Sequence, residues 1–258
     1  ELGFNGAAIA SVIAEFVGMF VIFLVIRWKG ISKRFGLFRD LRWNKENSTL
    51  IFSMSAPLMF QHAISIISWQ FFFLLIEHHG EMALKVSNVM RNIFGVFGCV
   101  TWAFAATTNA MVSNVIGQQK KEQVVPLIIR IIRLSSGWAL VACALLNIFP
   151  ETFLSIFGQG DAFIQAAMPS LRVVTAAMLL MSFSIIMLSA VTGTGNTRIT
   201  FLIELFAIIL YSTYVYLVNE RYFLPVYIGW MSEWLYWLCL FFPSLWYIRS
   251  GKWKNKVI

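Results

Sequence analysis

The chain has 258 residues, of which 59% are hydrophobic, 16% are aromatic and only 12% are charged. Soluble domains carry roughly 25% charged residues, so this composition excludes a soluble enzyme or binding module. Disorder is excluded as well, because a disordered chain needs low hydrophobicity and high charge. The class that remains is a polytopic membrane protein. Since the sequence begins with Glu1 inside a hydrophobic segment, we expect it to be part of a longer protein.

Apolar stretches of about 20 residues predict helices that cross a membrane. Seven such stretches occur, at residues 6–26, 50–76, 86–116, 134–149, 169–191, 199–218 and 226–248. The fourth is short, but the amphipathic run that precedes it can extend the same helix. No series of short alternating segments indicates a transmembrane barrel. We therefore predict an all-α polytopic membrane protein, folded as a helical bundle with seven spans.

The basic residues of the connections predict the orientation, because cytoplasmic loops carry the excess of Lys and Arg. Most of the 20 basic residues lie after the first, third and fifth spans and in the C-terminal tail; examples are Arg39, Arg42 and Lys256. The connections on the opposite side contain only Lys85 and Arg221. This asymmetry predicts a cytoplasmic C-terminus. It also accounts for the net charge of +8 without a nucleic-acid partner.

Ionisable residues within the spans are candidates for an ion or substrate pathway, because a charge in lipid is costly. Glu204 lies about 7.5 Å into the sixth span, between apolar neighbours. It could carry a proton or a cation, or pair with a donor on a neighbouring helix. Arg91 could contact an anionic substrate, but we favour a structural ion pair with Glu15, Glu77 or Glu233.

Two further groups of side chains could line an aqueous cavity. In the second span, Gln61, Ser65 and Trp69 share one helical face, and Thr108 and Asn109 contribute a polar stripe to the third. Hydrogen bonding between helices, or to a helix's own backbone, is the alternative interpretation. Polar stripes on two successive helices favour the cavity.

Bulky side chains suggest what such a cavity would bind. The positions of Trp69, Trp102 and Met181 are suited to a cavity wall, and aromatic faces attract organic cations. We predict no metal site and no cofactor. The three cysteines lie singly in different spans, and the pair His78–His79 alone is a weak metal signal.

The first and seventh spans resemble each other. Both carry a Glu in the half that is predicted to be external, Glu15 and Glu233, and both end at an Ile-Arg pair. Parallel repeats of this kind recur in transporters. If each span closes a six-helix repeat, the intact protein has twelve spans and this chain contains the last seven.

Several segments, taken in order, resemble the C-terminal half of the bacterial multidrug and toxic compound extrusion (MATE) family. They are GFNGAAIASVIAE (3–15), Ser55-Ala56-Pro57, LKVSNVMRNIFG (84–95), ATTNAMVSNVIGQ (106–118) and LSAVTGTGNTR (188–198). The resemblance implies a two-lobed, twelve-helix transporter. Residues 1–28 would then be the last helix of the N-terminal lobe, 29–48 a basic cytoplasmic linker, and 49–258 the six-helix C-terminal lobe. The N-terminal lobe of the same polypeptide would be missing here.

The function that the resemblance implies is secondary active efflux across the inner membrane. The transporter would exchange H+ or Na+ for amphiphilic, cationic small molecules by rocker-type alternating access. Two positions depart from the family pattern. Cation-coupled members often carry a Glu where this chain has Ser65, and some carry an Asp where it has Met181. The coupling acid would therefore lie elsewhere, either in this lobe or in the missing one.

Other classes fit the sequence less well. A flippase of the same superfamily, for a lipid-linked saccharide, needs cationic side chains along its cavity, and Arg91 is the only clear candidate within a span. A seven-helix receptor fits the number of spans but not the repeat or the absence of an external cysteine pair. An intramembrane enzyme needs a catalytic constellation, and the spans contain no recognisable one.

Overall fold

The computed structural model describes residues 3–36 and 44–255, and within these ranges all regular structure is helical. In chain order the helices are α1 (Gly3–Trp28), α2 (Ile31–Phe35), α3 (Lys45–Glu77), α4 (Glu81–Gly117), α5 (Val124–Ile148), α6 (Pro150–Ser155), α7 (Asp161–Gly193), α8 (Thr197–Tyr216), α9 (Val226–Trp230) and α10 (Ser232–Arg249). Short 3-10 turns lie at Lys121–Gln123 and Lys252–Asn255, and a π-helical turn at Leu217–Arg221 follows α8. The basic residues Arg39, Arg42 and Lys256 lie outside the described residues.

The chain divides into two compact units, Glu1–Leu50 and Ile51–Ile258. The first unit contains α1, an apolar helix of 26 residues, and the short helix α2. Along α1, large apolar side chains such as Phe16 are exposed, which is the pattern of a helix that faces lipid or another apolar surface. The predicted division into a lobe helix, a linker and a six-helix lobe stays a prediction.

Five helical segments of the described ranges are long and apolar enough to cross a membrane. They are Lys45–Glu77, Glu81–Gly117, Lys121–Ile148, Asp161–Gly193 and Thr197–Arg221. These segments contain the second to sixth predicted spans, which confirms those predictions. The fourth begins well before residue 134, because the amphipathic run joins the apolar segment in one continuous helix, α5.

The predicted seventh span differs from expectation. It is divided at Met231 into a single turn, α9, and the 18-residue helix α10. Pro225 precedes α9, and Gly229 lies so close to Asn219 that an added Cβ would come within 2.6 Å of the amide oxygen. This close approach holds the π-helical turn after α8 against α9 and leaves Ser232 and Glu233 at the start of a new helix.

Helix α7 lies at the centre of the second unit and packs against α4, α5, α8 and α10. At its C-terminal end, Gly193 permits a close approach to α4: a Cβ there would lie 2.9 Å from the Asn109 carbonyl oxygen and from the Val112 side chain. The Ser113 hydroxyl donates to the Gly193 carbonyl oxygen over 2.9 Å. The core around α7 thereby fixes the helices that surround the cavity described next.

Candidate ion and substrate cavity

A cavity of about 580 Å³ lies within the second unit, between α3, α4, α7, α8 and α10. Six of the eight residues predicted from the sequence line it: Gln61, Ser65, Trp69, Arg91, Asn109 and Glu204. A drug-sized ligand needs roughly 300–1,000 Å³. The two polar stripes predicted from sequence therefore face one common space of suitable size.

Glu204 projects from α8 towards the polar face of α3, and only 4% of the residue is exposed. The Tyr236 hydroxyl of α10 donates to its Oε1. The Ser65 hydroxyl and the Gln61 side chain of α3 lie close to the same carboxylate. Helix α10 thus brings a hydrogen-bond donor to Glu204 and α3 adds polar side chains, an arrangement that stabilises a buried carboxylate.

Glu233 is a second buried carboxylate in the cavity wall, with 3% of the residue exposed. It lies in the first turn of α10, and its Oε2 accepts a hydrogen bond of 3.1 Å from Trp237 Nε1. Tyr211 of α8 lines the same cavity. Sequence reasoning named Glu233 as a possible partner of Arg91 and as an acid shared with the first span, and it missed this place in the cavity.

Arg91 lines the cavity but does not make the ion pair expected with Glu77 or Glu233. In the described ranges, no salt bridge joins Arg91 to either of these two carboxylates, so that interpretation is wrong for them. Its guanidinium carbon lies instead 5.0 Å from the centre of the Phe73 ring. An aromatic face stabilises a cation electrostatically, which accounts for this position.

The structure does not bring Thr108 or Met181 to the cavity wall. Thr108 is fully buried between helices, and its hydroxyl donates to the Phe104 carbonyl oxygen over 2.7 Å. Met181 is also fully buried, with its methyl group 3.1 Å from where a Cβ of Gly98 would lie. Met181 therefore packs against α4, and Thr108 is satisfied by the backbone of its own helix, as buried threonines commonly are.

Aromatic side chains form much of the remaining wall. They are Trp69, Phe94, Trp102, Tyr211, Tyr236 and Trp237. Sequence reasoning found Trp69 and Trp102 and missed the three residues nearest the carboxylates. A signal for these existed: Tyr236 and Trp237 follow Glu233 by three and four residues, and Tyr211 follows Glu204 by seven, so each shares a helical face with an acid.

The histidine pair lies away from the cavity. His78 Nδ1 lies 2.8 Å from a Glu220 carboxylate oxygen, and His79 Nε2 donates to the Asn219 carbonyl oxygen over 3.0 Å. Within the part of the chain that the structure describes, no group of three or more His, Cys, Asp or Glu residues is arranged to hold a metal ion. The histidines tie the α3–α4 connection to the turn after α8.

The fold and the cavity define a multi-pass helical membrane protein with an internal polar site. The MatE family profile matches residues 57–217, which is more than half of the sequence. The chain belongs to the MatE family, the multidrug and toxic compound extrusion group that its motifs resemble.

Individual relatives agree with this assignment. The chain is 21% identical over 263 residues to the probable multidrug resistance protein NorM of Thermotoga maritima, and the match covers 100% of this chain and 55% of that protein. It thus spans about half the length of this curated relative. Among solved structures, it is similar to a mutant MATE protein, with a TM-score of 0.81, 18% identity, and coverage of 99% of this chain and 58% of that one.

A transporter of the MOP superfamily from Pyrococcus furiosus is also similar in fold. Its TM-score is 0.67 at 15% identity, and the match covers 78% of this chain and 44% of that one. At these identities the likeness to solved structures shows the fold. Together the comparisons confirm the resemblance and the helical bundle predicted from the sequence.

Proposed function

We propose that this chain is the C-terminal lobe of a secondary active exporter that exchanges H+ or Na+ for amphiphilic, cationic small molecules. The observation that carries the proposal is the pairing of two buried carboxylates with an aromatic wall around one cavity. A cationic centre would find negative charge at Glu204 and Glu233, and apolar rings around them would accept the rest of an amphiphile. Such a site binds without covalent chemistry, which fits a transporter better than an enzyme.

Glu204 is the proposed coupling residue. A buried carboxylate is costly to keep charged without a cation or strong hydrogen-bond donors. A proton, a sodium ion and an organic cation would therefore compete for the same group. The competition gives the ion and the substrate different affinities for the two orientations of the site, as coupled exchange requires.

The complete transport cycle needs a second lobe. The chain spans about half the length of its NorM relative, and the first unit ends in a predicted basic linker. We propose that the N-terminal lobe of the same polypeptide closes the cavity and that the two lobes rock to expose it alternately on each side of the inner membrane. The proposed partners are the lipid bilayer and the organic cations, and the only bound cofactor is the coupling ion.

The proposal is tested by transport in everted membrane vesicles that contain the product of the complete reading frame. We expect uptake of a fluorescent organic cation that depends on a proton or sodium gradient and is abolished by the matching ionophore. Glu204→Gln should lower this uptake at least tenfold, because it removes the charge but keeps the shape and most of the hydrogen bonds. Glu151→Gln is the matched control, since Glu151 is exposed and lies in α6, outside the cavity.

Two outcomes would contradict parts of the proposal. If the Glu204→Gln variant still couples uptake to the ion gradient, the coupling group is a residue other than Glu204. Absence of gradient-dependent uptake in the parent protein would contradict the exporter and bring the flippase for a lipid-linked saccharide forward. Translocation of a labelled lipid-linked saccharide in proteoliposomes would then be measured, with Arg91→Gln as the variant expected to fail.

A further inference from the structure

The N-terminal half of α5 carries two arginines on the face that points away from the bundle. Helix α5 buries Ile128, Ile131 and Ser135 against its neighbours, whereas Arg130 and Arg133 are exposed. At 3.6 residues per turn, the two arginines lie on the side of the helix opposite this buried stripe. Residues three apart on a helix are neighbours, with Cβ atoms about 5–6 Å apart. The two guanidinium groups can therefore reach one ligand together.

The arginines lie where the exposed surface of α5 becomes apolar. From Leu134 to Leu145, every exposed residue of the helix is apolar. An exposed apolar helix face of this length is suited to the acyl chains of a bilayer. Arg133 directly precedes this face, and Arg130 lies about 4.5 Å further towards the start of the helix. Both side chains therefore stand at the level of the lipid headgroups, to which long basic side chains extend their charge.

Other contacts mark the same end of the bundle as a boundary between membrane and water. Lys121 Nζ donates to the Lys254 carbonyl oxygen, which ties the turn before α5 to the turn after α10. Trp246 of α10 is exposed, and the Lys252 ammonium lies 5.5 Å from the centre of its ring. Exposed tryptophan and basic side chains together are typical of the headgroup region.

The two arginines have no carboxylate partner in the described part of the chain. The ion pairs found there involve other basic residues. Glu122 is the acidic residue nearest to the arginines in sequence, and its Oε1 lies 3.2 Å from Lys254 Nζ. Two positive charges on one exposed face thus remain available to an anionic ligand from outside the bundle.

The chemistry of arginine selects the kind of anion. A planar guanidinium group offers two parallel N–H donors, which match the oxygens of a phosphate. In a bilayer, phosphates lie in the headgroups, at the depth of these side chains. A zwitterionic headgroup also carries a cation that repels the arginines, whereas an anionic headgroup does not. The pair is therefore suited to an anionic phospholipid.

The position of α5 in its unit favours lipid over a second protein lobe as the occupant of this face. The cavity that a second lobe would close is lined by residues of α3, α4, α7, α8 and α10, and by none of α5. Helix α5 packs instead against α4 and α7. Its arginines therefore belong to another side of the unit than the cavity.

We propose that Arg130 and Arg133 bind the headgroup phosphate of an anionic phospholipid at the start of α5. The inference does not rest on the proposed export, because the apolar helices alone require a bilayer. Since α4 and α7 both pack against α5 and both line the cavity, a lipid bound to α5 would stabilise the helices that form part of the cavity wall.

The test follows thermal unfolding of the purified protein, expressed from the complete reading frame, in a non-ionic detergent and without substrate. Phosphatidylglycerol or phosphatidylcholine with the same acyl chains is added in increasing amounts at fixed pH and ionic strength. We expect phosphatidylglycerol to raise the melting temperature saturably and further than phosphatidylcholine, since a ligand that binds only the folded state stabilises it. Arg130→Gln/Arg133→Gln should weaken the apparent affinity for phosphatidylglycerol at least tenfold.

Arg198→Gln/Arg249→Gln is the matched control. Both residues are exposed, at the start of α8 and the end of α10. The Asn196 side chain donates to the Tyr247 hydroxyl over 2.9 Å, which places these two helix ends side by side. The control therefore removes the same two charges from the same end of the bundle without touching α5. It should keep the phosphatidylglycerol response of the parent protein.

The outcomes decide between a defined lipid site and its alternatives. A phosphatidylglycerol response that is lost in the α5 variant and kept in the control supports the proposal. An equal response of the two double variants, whether kept or lost, overturns it. A parent protein that responds alike to both lipids also overturns it. So does an α5 variant that is less stable than the parent protein before lipid is added, because the arginines would then contact protein, such as the N-terminal lobe. No ion gradient or substrate enters this measurement, so a failed transport assay would contradict the exporter and not the lipid site.

Discussion

Two carboxylates in one cavity have different surroundings. Glu204 and Glu233 are almost equally buried and stand on the neighbouring helices α8 and α10. Glu204 of α8 accepts a hydrogen bond from the Tyr236 hydroxyl of α10, and the polar face of α3 lines the same cavity. Glu233 accepts a hydrogen bond from Trp237 Nε1 of its own helix. The carboxylate of Glu204 is thus held between two helices, whereas that of Glu233 is held within one.

The two tyrosines beside these carboxylates also differ in their hydrogen bonds. The rings of Tyr211 and Tyr236 meet edge to face, with centroids 5.8 Å apart. The Tyr236 hydroxyl bonds to the Glu204 carboxylate, whereas the Tyr211 hydroxyl bonds to neither carboxylate in the described ranges. Burial alone therefore does not define the role of a polar group in this cavity; its neighbours on other helices do.

The largest effect on transport is expected when the carboxylate is removed from position 204 and a new one is introduced at position 65, on the opposite wall of the cavity. Ser65 occupies the position at which cation-coupled members of the family often carry an acid, and it lines the same cavity as Glu204. We expect Glu204→Ser to abolish gradient-driven uptake. We expect the double variant Ser65→Glu/Glu204→Ser to recover at least tenfold over this single variant, because a carboxylate returns to the same space.

A matched double variant controls for a nonspecific effect of an added acid. Ser55 is also on α3, but it does not line the cavity. Ser55→Glu/Glu204→Ser should therefore remain as inactive as Glu204→Ser. Equal uptake by the two double variants would show that the place of the carboxylate does not matter and would remove the distinction between the two acid sites.

An intermediate effect is expected from the same substitution at the two tyrosines. Tyr236→Phe deprives a buried carboxylate of a donor, and we expect it to lower the free energy of unfolding by about 1–3 kcal/mol. Tyr211→Phe removes a hydroxyl that bonds to neither carboxylate, and it should change stability by less than about 0.5 kcal/mol. Chemical unfolding in detergent measures both. A greater loss from Tyr211→Phe would mean that its hydroxyl has a partner within the protein.

The sequence predicted the fold well because lipid imposes a strong pattern. Long apolar runs with basic flanks identified the second to sixth spans, and the amphipathic run before residue 134 was correctly joined to the fourth. The break at Met231 was missed. It depends on the close contact between Gly229 and Asn219, which are ten residues apart and lie on different turns. A hydropathy profile does not show which side chains come into contact, so it could not predict this break.

The cavity was predicted less completely. Helical periodicity shows which side chains share a face, and it correctly placed Gln61, Ser65 and Glu204 on the wall. It does not show which helix that face meets. Thr108 and Met181 follow the same kind of pattern but lie outside the cavity lining. Glu233 was named as one of three possible partners of Arg91, and its place in the cavity was missed because its depth in the bundle depends on where α10 begins.

The smallest effect on transport and stability is expected at a third carboxylate, which is exposed to solvent. Glu81 begins α4, and its Oε1 lies 2.7 Å from Lys85 Nζ, with both side chains exposed. An exposed ion pair on a helix contributes little to stability and is screened by salt. Glu81→Gln should therefore leave uptake and melting temperature unchanged within error, at both low and high ionic strength. Since this substitution removes the same charge as Glu204→Gln, a comparable loss of transport would show that the charge of the whole lobe matters. An unchanged protein would show that the effect of a carboxylate here depends on its burial and on the side chains that surround it.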